Sequence, residues 1–434
     1  MRPLTLSRGL IFIALLLCSL TSHGPYVVMT GILLLFACCL HDRDAREVLV
    51  SPRYMTFLSL SAAIVTAFYL WYLAVPHANT SLQLEKSGNN NFMFLLLVVT
   101  FLASFAALIE ARLKEITEII KALLVLNCGV LLLQTVTLVV SKQYIDFIKP
   151  VTGEASRYLN YASVNPIFKY RPTGLYVEPS TFAAAVGAMA VGYMLLSRAR
   201  GRLPSMLPIG LTVISMLITQ SAAAVVQAAV LIAAVMLTYR RHLPRSWTVV
   251  VLVILASSPG VIAAYLNSFL LKFNADSHLR VALLSYVYEI RNGWDYVFGY
   301  GPFSLESDLW NLANPRSAEE SSSVASLNDS GLLNFFVVQF GVVGLAIPFA
   351  IFLRMRKDIS TVCFLGLLMS SKLPYTAPVI YFGLLPIILR LGAPLAVAAT
   401  SRSSASADGT HQEHRKSPSR AHFSFSGSSQ ARSP

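Results

Sequence analysis

The chain is a succession of apolar stretches of membrane-crossing length, separated by polar segments and followed by a tail that together gather nearly all of the charge. The clearest stretch, 55–75, carries no charged side chain and holds about 20 residues, enough to cross ~30 Å of hydrocarbon as a helix. In lipid every backbone N–H and C=O must be satisfied within the segment itself, so apolar runs of this length fold as helices. Composition agrees. Hydrophobic residues make up 55% of the chain and charged residues 13%, against about 25% charged in soluble domains. The sequence therefore specifies an all-α polytopic membrane protein.

Taken in order, Arg2 and Arg8 precede the apolar run 10–20, which has the form of a signal peptide's first two regions. Thr21-Ser22-His23-Gly24-Pro25 offers no small-x-small cleavage site, and a second run, 26–40, follows at once. The expectation is a transmembrane hairpin. Further spans are expected at 55–75, 92–109, 122–140, 182–196, 247–266, 332–353, 361–369 and 377–391. The run 206–238 is too long for one span, and a break at Thr219-Gln220-Ser221 makes it two. With that break the total is about 12 transmembrane helices.

Arg43, Arg46 and Arg53, then Arg112, Lys114 and Lys121, then Arg198, Arg200 and Arg202, then Arg240, Arg241 and Arg245, then Arg354, Arg356 and Lys357 all fall on one side. The rule that short cytoplasmic loops are basic makes that side the cytoplasm. Both termini then lie inside, and two large loops, 141–181 and 267–331, lie outside. Residues 1–391 read as the transmembrane domain. Residues 392–434 read as a disordered basic cytoplasmic tail, with two readings open for it: solvated disorder without a role, and a weak attraction to anionic lipid. The net charge of +13 is accounted for by these inside loops and the tail, so nucleic acid is not an expected partner.

Ionisable residues are nearly absent from the span centres, which argues against an ion-coupled transporter. The five cysteines, Cys18, Cys38, Cys39, Cys128 and Cys363, lie in apolar spans, and the eight histidines form no HExxH. No disulfide, metal or cofactor is expected. Chemistry is thereby assigned to the external loops, and above all to Tyr170-Arg171-Pro172-Thr173-Gly174-Leu175-Tyr176-Val177-Glu178-Pro179-Ser180-Thr181-Phe182. Two prolines and a glycine shape this stretch, and it carries charge where the chain re-enters the apolar region. Arginine is the residue for bidentate recognition of phosphate. Arg171 in the first loop, with Arg280 and Arg291 in the second, suits a phosphate-bearing amphiphile whose tail stays in the bilayer. The plainer readings are an interfacial anchor or a salt bridge to Glu178 for Arg171, and the polar face of a surface-lying helix for Arg280.

Arg171-Pro172-Thr173-Gly174-Leu175-Tyr176-Val177-Glu178-Pro179-Ser180 resembles the R-x-x-G-(L/F)-x-x-E-P-S signature of bacterial O-antigen and exopolysaccharide polymerases, a family related to the O-antigen ligases. The segment from Arg280 to Gly301 resembles the family's second-loop pattern, in which an arginine precedes a helix ending in G-x-G. Asn328 to Gly344 resembles its stretch that runs from an asparagine into G-x-x-G. The ligases carry a histidine near this point, where this chain has Leu327-Asn328-Asp329, and that departure favours polymerase over ligase.

The resemblance covers roughly residues 90–390. It implies a glycosyltransferase of the bacterial inner membrane. Such an enzyme would join undecaprenyl-pyrophosphate-linked oligosaccharide repeats at the outer face, with a chain-length regulator as a further partner. Arg171 and Arg280 would hold the donor pyrophosphate without a metal. Glu178 would act as general base or orient Arg171, and the second role is preferred because the two are close in sequence. Tyr170, Tyr176, Arg291, Asn328 and Asp329 are the remaining substrate-binding candidates, Asp329 also as a second base. The alternatives are a ligase, and a transporter or flippase for lipid-linked sugar. A flippase would need cationic residues from the spans lining a cavity, which this sequence lacks.

Overall fold

The computed structural model describes residues 4–21, 23–74, 82–153, 155–157, 170–239, 293–303, 331–356, 358–389 and 391. They belong to one compact unit, Met1–Ala393. All regular elements among them are helices: α1 (Leu4–Ser19), α2 (Pro25–His41), α3 (Arg43–Leu49), α4 (Pro52–Ala74), α5 (Leu82–Ser141), α6 (Lys149–Thr152), α7 (Pro179–Ala199), α8 (Met206–Ile218), α9 (Ala222–Tyr239), α10 (Gly293–Phe298), α11 (Leu332–Gly344), α12 (Ala346–Met355), α13 (Ile359–Met369) and α14 (Ile380–Ile388). The expected span 247–266 and the tail 392–434 lie outside the described residues.

Three stretches, Pro52–Ala74, Asn89–Ser141 and Pro179–Ala199, are long and apolar enough to cross a membrane, and two sharply bent pairs bring the number to as many as five. The expected total of twelve is not reached among the described residues. The outward faces suit lipid. In α4, Tyr54 and Tyr72 are the buried side chains, while Leu60, Ile64, Leu70 and Leu73 are exposed.

The first two helices form a tight hairpin. A Cβ at Gly31 would lie 2.8 Å from the Cys18 backbone nitrogen and 2.9 Å from the Ala14 carbonyl, so only glycine permits this approach. Asp42 then caps α3 by accepting the Ala45 N–H at 3.1 Å, and the chain turns by 104°.

Helix α5 departs from expectation at both ends of its first arm. It begins at Leu82, inside the segment read as a polar loop, and stays helical through the basic segment 110–121 except at Arg112 (φ −132°, ψ 41°). The chain folds back there. The Phe105 and Phe382 rings are 5.3 Å apart. The Phe382 carbonyl lies against Gly192, about one helical turn from Met189, whose sulfur receives the Asn127 amide. In a straight helix residues 105 and 127 would stand about 33 Å apart. The stretches 92–109 and 122–140 are thus the two arms of a kinked helix that folds back at Arg112.

The bundle has two chemically distinct ends. At one, Arg8 meets Glu115, Arg53 meets Glu110, Arg112 meets Asp42 and Asp44, and Arg200 meets Glu118. Arg198 there holds Asp358 at 3.5 Å and Ser360 at 2.8 Å, bonds Thr238, and lies over the Phe364 ring, which ties α7, α9 and α13 together. At the other end the chain turns through His23, Thr173, Thr219 and Ser371. Helix α7 runs between the two ends, wrapped by α5, α8, α9 and α14, with buried side chains along almost its whole length.

The run 206–238 breaks where expected: α8 ends at Ile218, α9 starts at Ala222, and Gln220 between them has φ +52°. The run 332–353 is not one straight helix. It divides into α11 and α12, which meet at 92° across the break at Leu345. Inside α11, Gly341 (φ +61°) also leaves helical geometry, and its Cα packs against backbone, with a Cβ placed 2.4 Å from the Val297 carbonyl.

Candidate functional site

The stretch 170–182 is clamped from four sides at the end of the bundle away from the Arg8, Arg53, Arg112, Arg198 and Arg200 ion pairs. Gln134, wholly buried near the end of α5, accepts the N–H groups of Thr173 (3.0 Å) and Gly174 (2.9 Å) through Oε1. Its Nε2 donates to the Ile145 carbonyl at 2.8 Å. One amide thereby fixes both the turn and the start of the loop that leads to it. His23, in the turn between α1 and α2, donates from Nε2 to the Leu175 carbonyl at 2.6 Å. The Thr173 hydroxyl meets Tyr144 Oη at 2.9 Å, and that oxygen also accepts from Ser156 Oγ at 2.9 Å. Arg171 Nε points at the Thr219 carbonyl, 3.4 Å away, at the break between α8 and α9.

The turn closes on itself. Tyr176 N–H donates to the Thr173 carbonyl at 3.1 Å, and Gly174 has φ +61°, the sign a II′ turn requires at its first central residue. A Cβ on Gly174 would also meet the Phe182 ring at 3.1 Å. From Pro179 the chain continues directly into α7, with proline in its first turn where no N–H is needed.

The loop before the turn is equally well held. Asp146 accepts the N–H groups of Ile148 (2.9 Å), Lys149 (3.1 Å) and Ser156 (2.8 Å). Burial pushes the Asp146 carboxyl upward, but these donors outweigh it and hold the group below the ordinary carboxylate range. Arg157 N–H donates to the Val177 carbonyl at 2.8 Å, which brings the Arg157 guanidinium onto the Glu178 carboxylate as an ion pair. The second Glu178 oxygen accepts from Ser180 Oγ at 3.3 Å.

The sequence-derived candidates divide accordingly. Arg171 and Glu178 stand on the same rigid frame, each half-buried. Among the described residues Glu178 forms its ion pair with Arg157, 21 positions away in sequence. Tyr170 is half-buried at the start of the turn. Tyr176 is fully buried and meets Phe182 edge-on at 5.8 Å, so its ring supports the turn from beneath and presents no face to a sugar. Arg280, Arg291, Asn328 and Asp329 lie outside the described residues.

Two other motifs meet although about 40 residues separate them in sequence. Gly299 and Gly301 have φ of +72° and +79°. A Cβ on Gly299 would fall 2.3 Å from the Gln339 carbonyl, and Tyr300 N–H donates to the Val338 carbonyl at 3.3 Å. The G-x-G of the second loop therefore packs backbone to backbone against the kink that precedes Gly344, and Gln339 Oε1 accepts the Tyr375 hydroxyl at 2.6 Å.

Sequence reasoning did not single out Gln134, Tyr144, Asp146 or Arg157. A glutamine in an apolar span was the one visible signal. The Arg157–Glu178 pairing across 21 positions follows no local spacing rule. Among the described residues no three of His, Cys, Asp or Glu converge as metal ligands. No family model matches the chain, and no curated protein sequence matches it.

Proposed function

We propose that the chain is a membrane glycosyltransferase that polymerises lipid-pyrophosphate-linked oligosaccharide repeats, with the 170–182 turn as part of its active site. In this reading the turn and the loops 141–181 and 267–331 face the outside of a bacterial inner membrane, and the ion-paired end and both termini face the cytoplasm. The observation that carries the reading is the construction of the signature stretch. Its backbone is held by Gln134 and His23 and its Thr173 hydroxyl by Tyr144, while Arg171 and Glu178 on it, and Arg157 beside it, remain at least partly exposed. A charged lip on a fixed frame suits recognition of a phosphate group without reorganisation during the reaction.

In the reaction the C1–O bond to the donor pyrophosphate breaks, and an acceptor sugar hydroxyl oxygen forms the new bond to C1. The hydroxyl proton goes to a carboxylate, and the lipid pyrophosphate departs with the bonding electrons. Arg171, with Arg280 from the second loop, stabilises charge on the departing pyrophosphate. Arg157 holds Glu178 in place, leaving that carboxylate, or Asp329, as the proton acceptor. Asn328, Arg291 and Tyr170 bind the substrate.

The test is to delete the gene in its host and separate the lipid-linked glycans. A polymerase deletion accumulates single repeats, and Arg171→Ala reproduces this with normal protein levels. Accumulation of long, unattached polymer would assign the chain as a ligase. An unchanged glycan profile would overturn the reading.

A further inference from the structure

We propose that the cleft between α12 and α13 is a binding site for an anionic phospholipid, with one acyl chain in the cleft and the headgroup phosphate on Arg356. This rests on the chain lying in a membrane and not on the polymerase reading.

The cleft has a volume of about 640 Å³ and is lined by apolar residues alone, including Phe349 and Phe352 from α12 and Val362, Leu365 and Met369 from α13. Ligand sites commonly measure ~300–1,000 Å³. It exists because the 92° bend before Ala346 swings α12 away from the body, leaving Pro348 as its buried residue. Gly366 widens the opposite wall: it is exposed, and a Cβ there would meet nothing within 4 Å. A gap this apolar holds no partner for water, and hydrocarbon is the solvent that fills it.

The charge at the mouth selects the headgroup. Arg356 continues the helical geometry of α12 and falls on the stripe that carries Leu345, Phe349 and Phe352, one turn beyond Phe352. Helical side chains lean toward the N-terminus, so that of Arg356 leans back over the cleft. Its nearest carboxylate in sequence, Asp358, is already occupied by Arg198, Ser360 and Thr361, and among the described residues Arg356 forms no ion pair. Arg356 is exposed one turn beyond the lining residue Phe352, and a cation beyond the end of an apolar cleft complements a lipid with a net negative headgroup.

The experiment uses full-length protein in vesicles of phosphatidylglycerol and phosphatidylcholine, one of the two brominated in turn. Phe352→Trp places a reporter in the cleft, and subtracting the parent protein removes the signal of the native tryptophans. The expected result is about fivefold enrichment of phosphatidylglycerol at the reporter, the ratio one surface arginine supports. Arg356→Gln brings it to parity. Gly366→Phe, which fills open space, lowers quenching by both lipids. Equal quenching in the unmodified cleft, or enrichment that survives Arg356→Gln, overturns the proposal. So does an absence of quenching by either lipid, which would mean a protein segment or a second copy occupies the cleft.

Discussion

Replacing Gln134 by leucine should release the signature turn while leaving the helices in place. The side chain is wholly buried, and leucine fills similar volume, so the change removes hydrogen bonds and little packing. Three backbone groups lose their partner: the N–H of Thr173, the N–H of Gly174 and the C=O of Ile145. Each buried unsatisfied group costs about 1–3 kcal/mol, so the folded turn is disfavoured by at least ~3 kcal/mol. The turn opens to water before the larger total is reached, which sets the observable near the lower bound. That corresponds to about a hundredfold rise in the open population. Hydrogen exchange of a peptide spanning 170–178 reads it directly, with the Thr173 and Gly174 amides exchanging about a hundredfold faster and the peptides of α7 unchanged. Gln134→Glu provides the graded control, because its carboxylate still accepts both N–H groups but cannot donate to Ile145. Unchanged exchange at Thr173 and Gly174 in Gln134→Leu would refute this account of the turn.

Other consequences follow from the same contacts. Gly174→Ala places a Cβ at positive φ against the Phe182 ring and should destabilise the turn by about 1–3 kcal/mol, read as faster proteolysis between 153 and 178. Arg198→Ala leaves Asp358 half-buried without its cation and should cost about 3–5 kcal/mol. The melting temperature in detergent should fall accordingly, and Arg198→Lys should fail to restore it, because one ammonium cannot reach Asp358, Ser360 and Thr238 in the guanidinium's planar geometry. Asp146 has a depressed native pKa, so its contribution to loop stability is complete above the ordinary carboxylate value of about 3.9 and is lost as pH falls through the lower native value. Hydrogen exchange of 144–157 should therefore accelerate only below about pH 4, and Asp146→Asn should abolish that step.

Much of the helical plan was legible because it is written in hydropathy, which is local. The hairpin of α1 and α2, the break at Thr219-Gln220-Ser221 and the limits of α7 all follow from apolar runs and their interruptions. The reversal within α5 was legible from charge, since Arg112, Lys114 and Lys121 interrupt two apolar arms. Its continued helicity through that segment was not, because single-residue kinks leave no compositional trace.

The departure from helical geometry at Gly341 was hidden for a related reason. A glycine inside an apolar run reads as close helix packing, and only contact with Val297 and Gly299, from another part of the chain, shows what it accommodates. At the candidate site the residue types of the turn were readable, but its supports were not. Gln134, His23 and Tyr144 come from three separate regions, and Arg157 takes the partner that sequence proximity would have given to Arg171.

The central claim is that the chain joins lipid-pyrophosphate-linked repeats through the turn that carries Arg171. Purified protein in liposomes, supplied with lipid-linked repeat units from its own host, tests it most directly. The account predicts a ladder of products rising by one repeat per rung, which Arg171→Ala reduces to the starting band without altering insertion or the exchange pattern of α7. A single unchanged band from correctly inserted, unmodified protein, or a full ladder from Arg171→Ala, would contradict it.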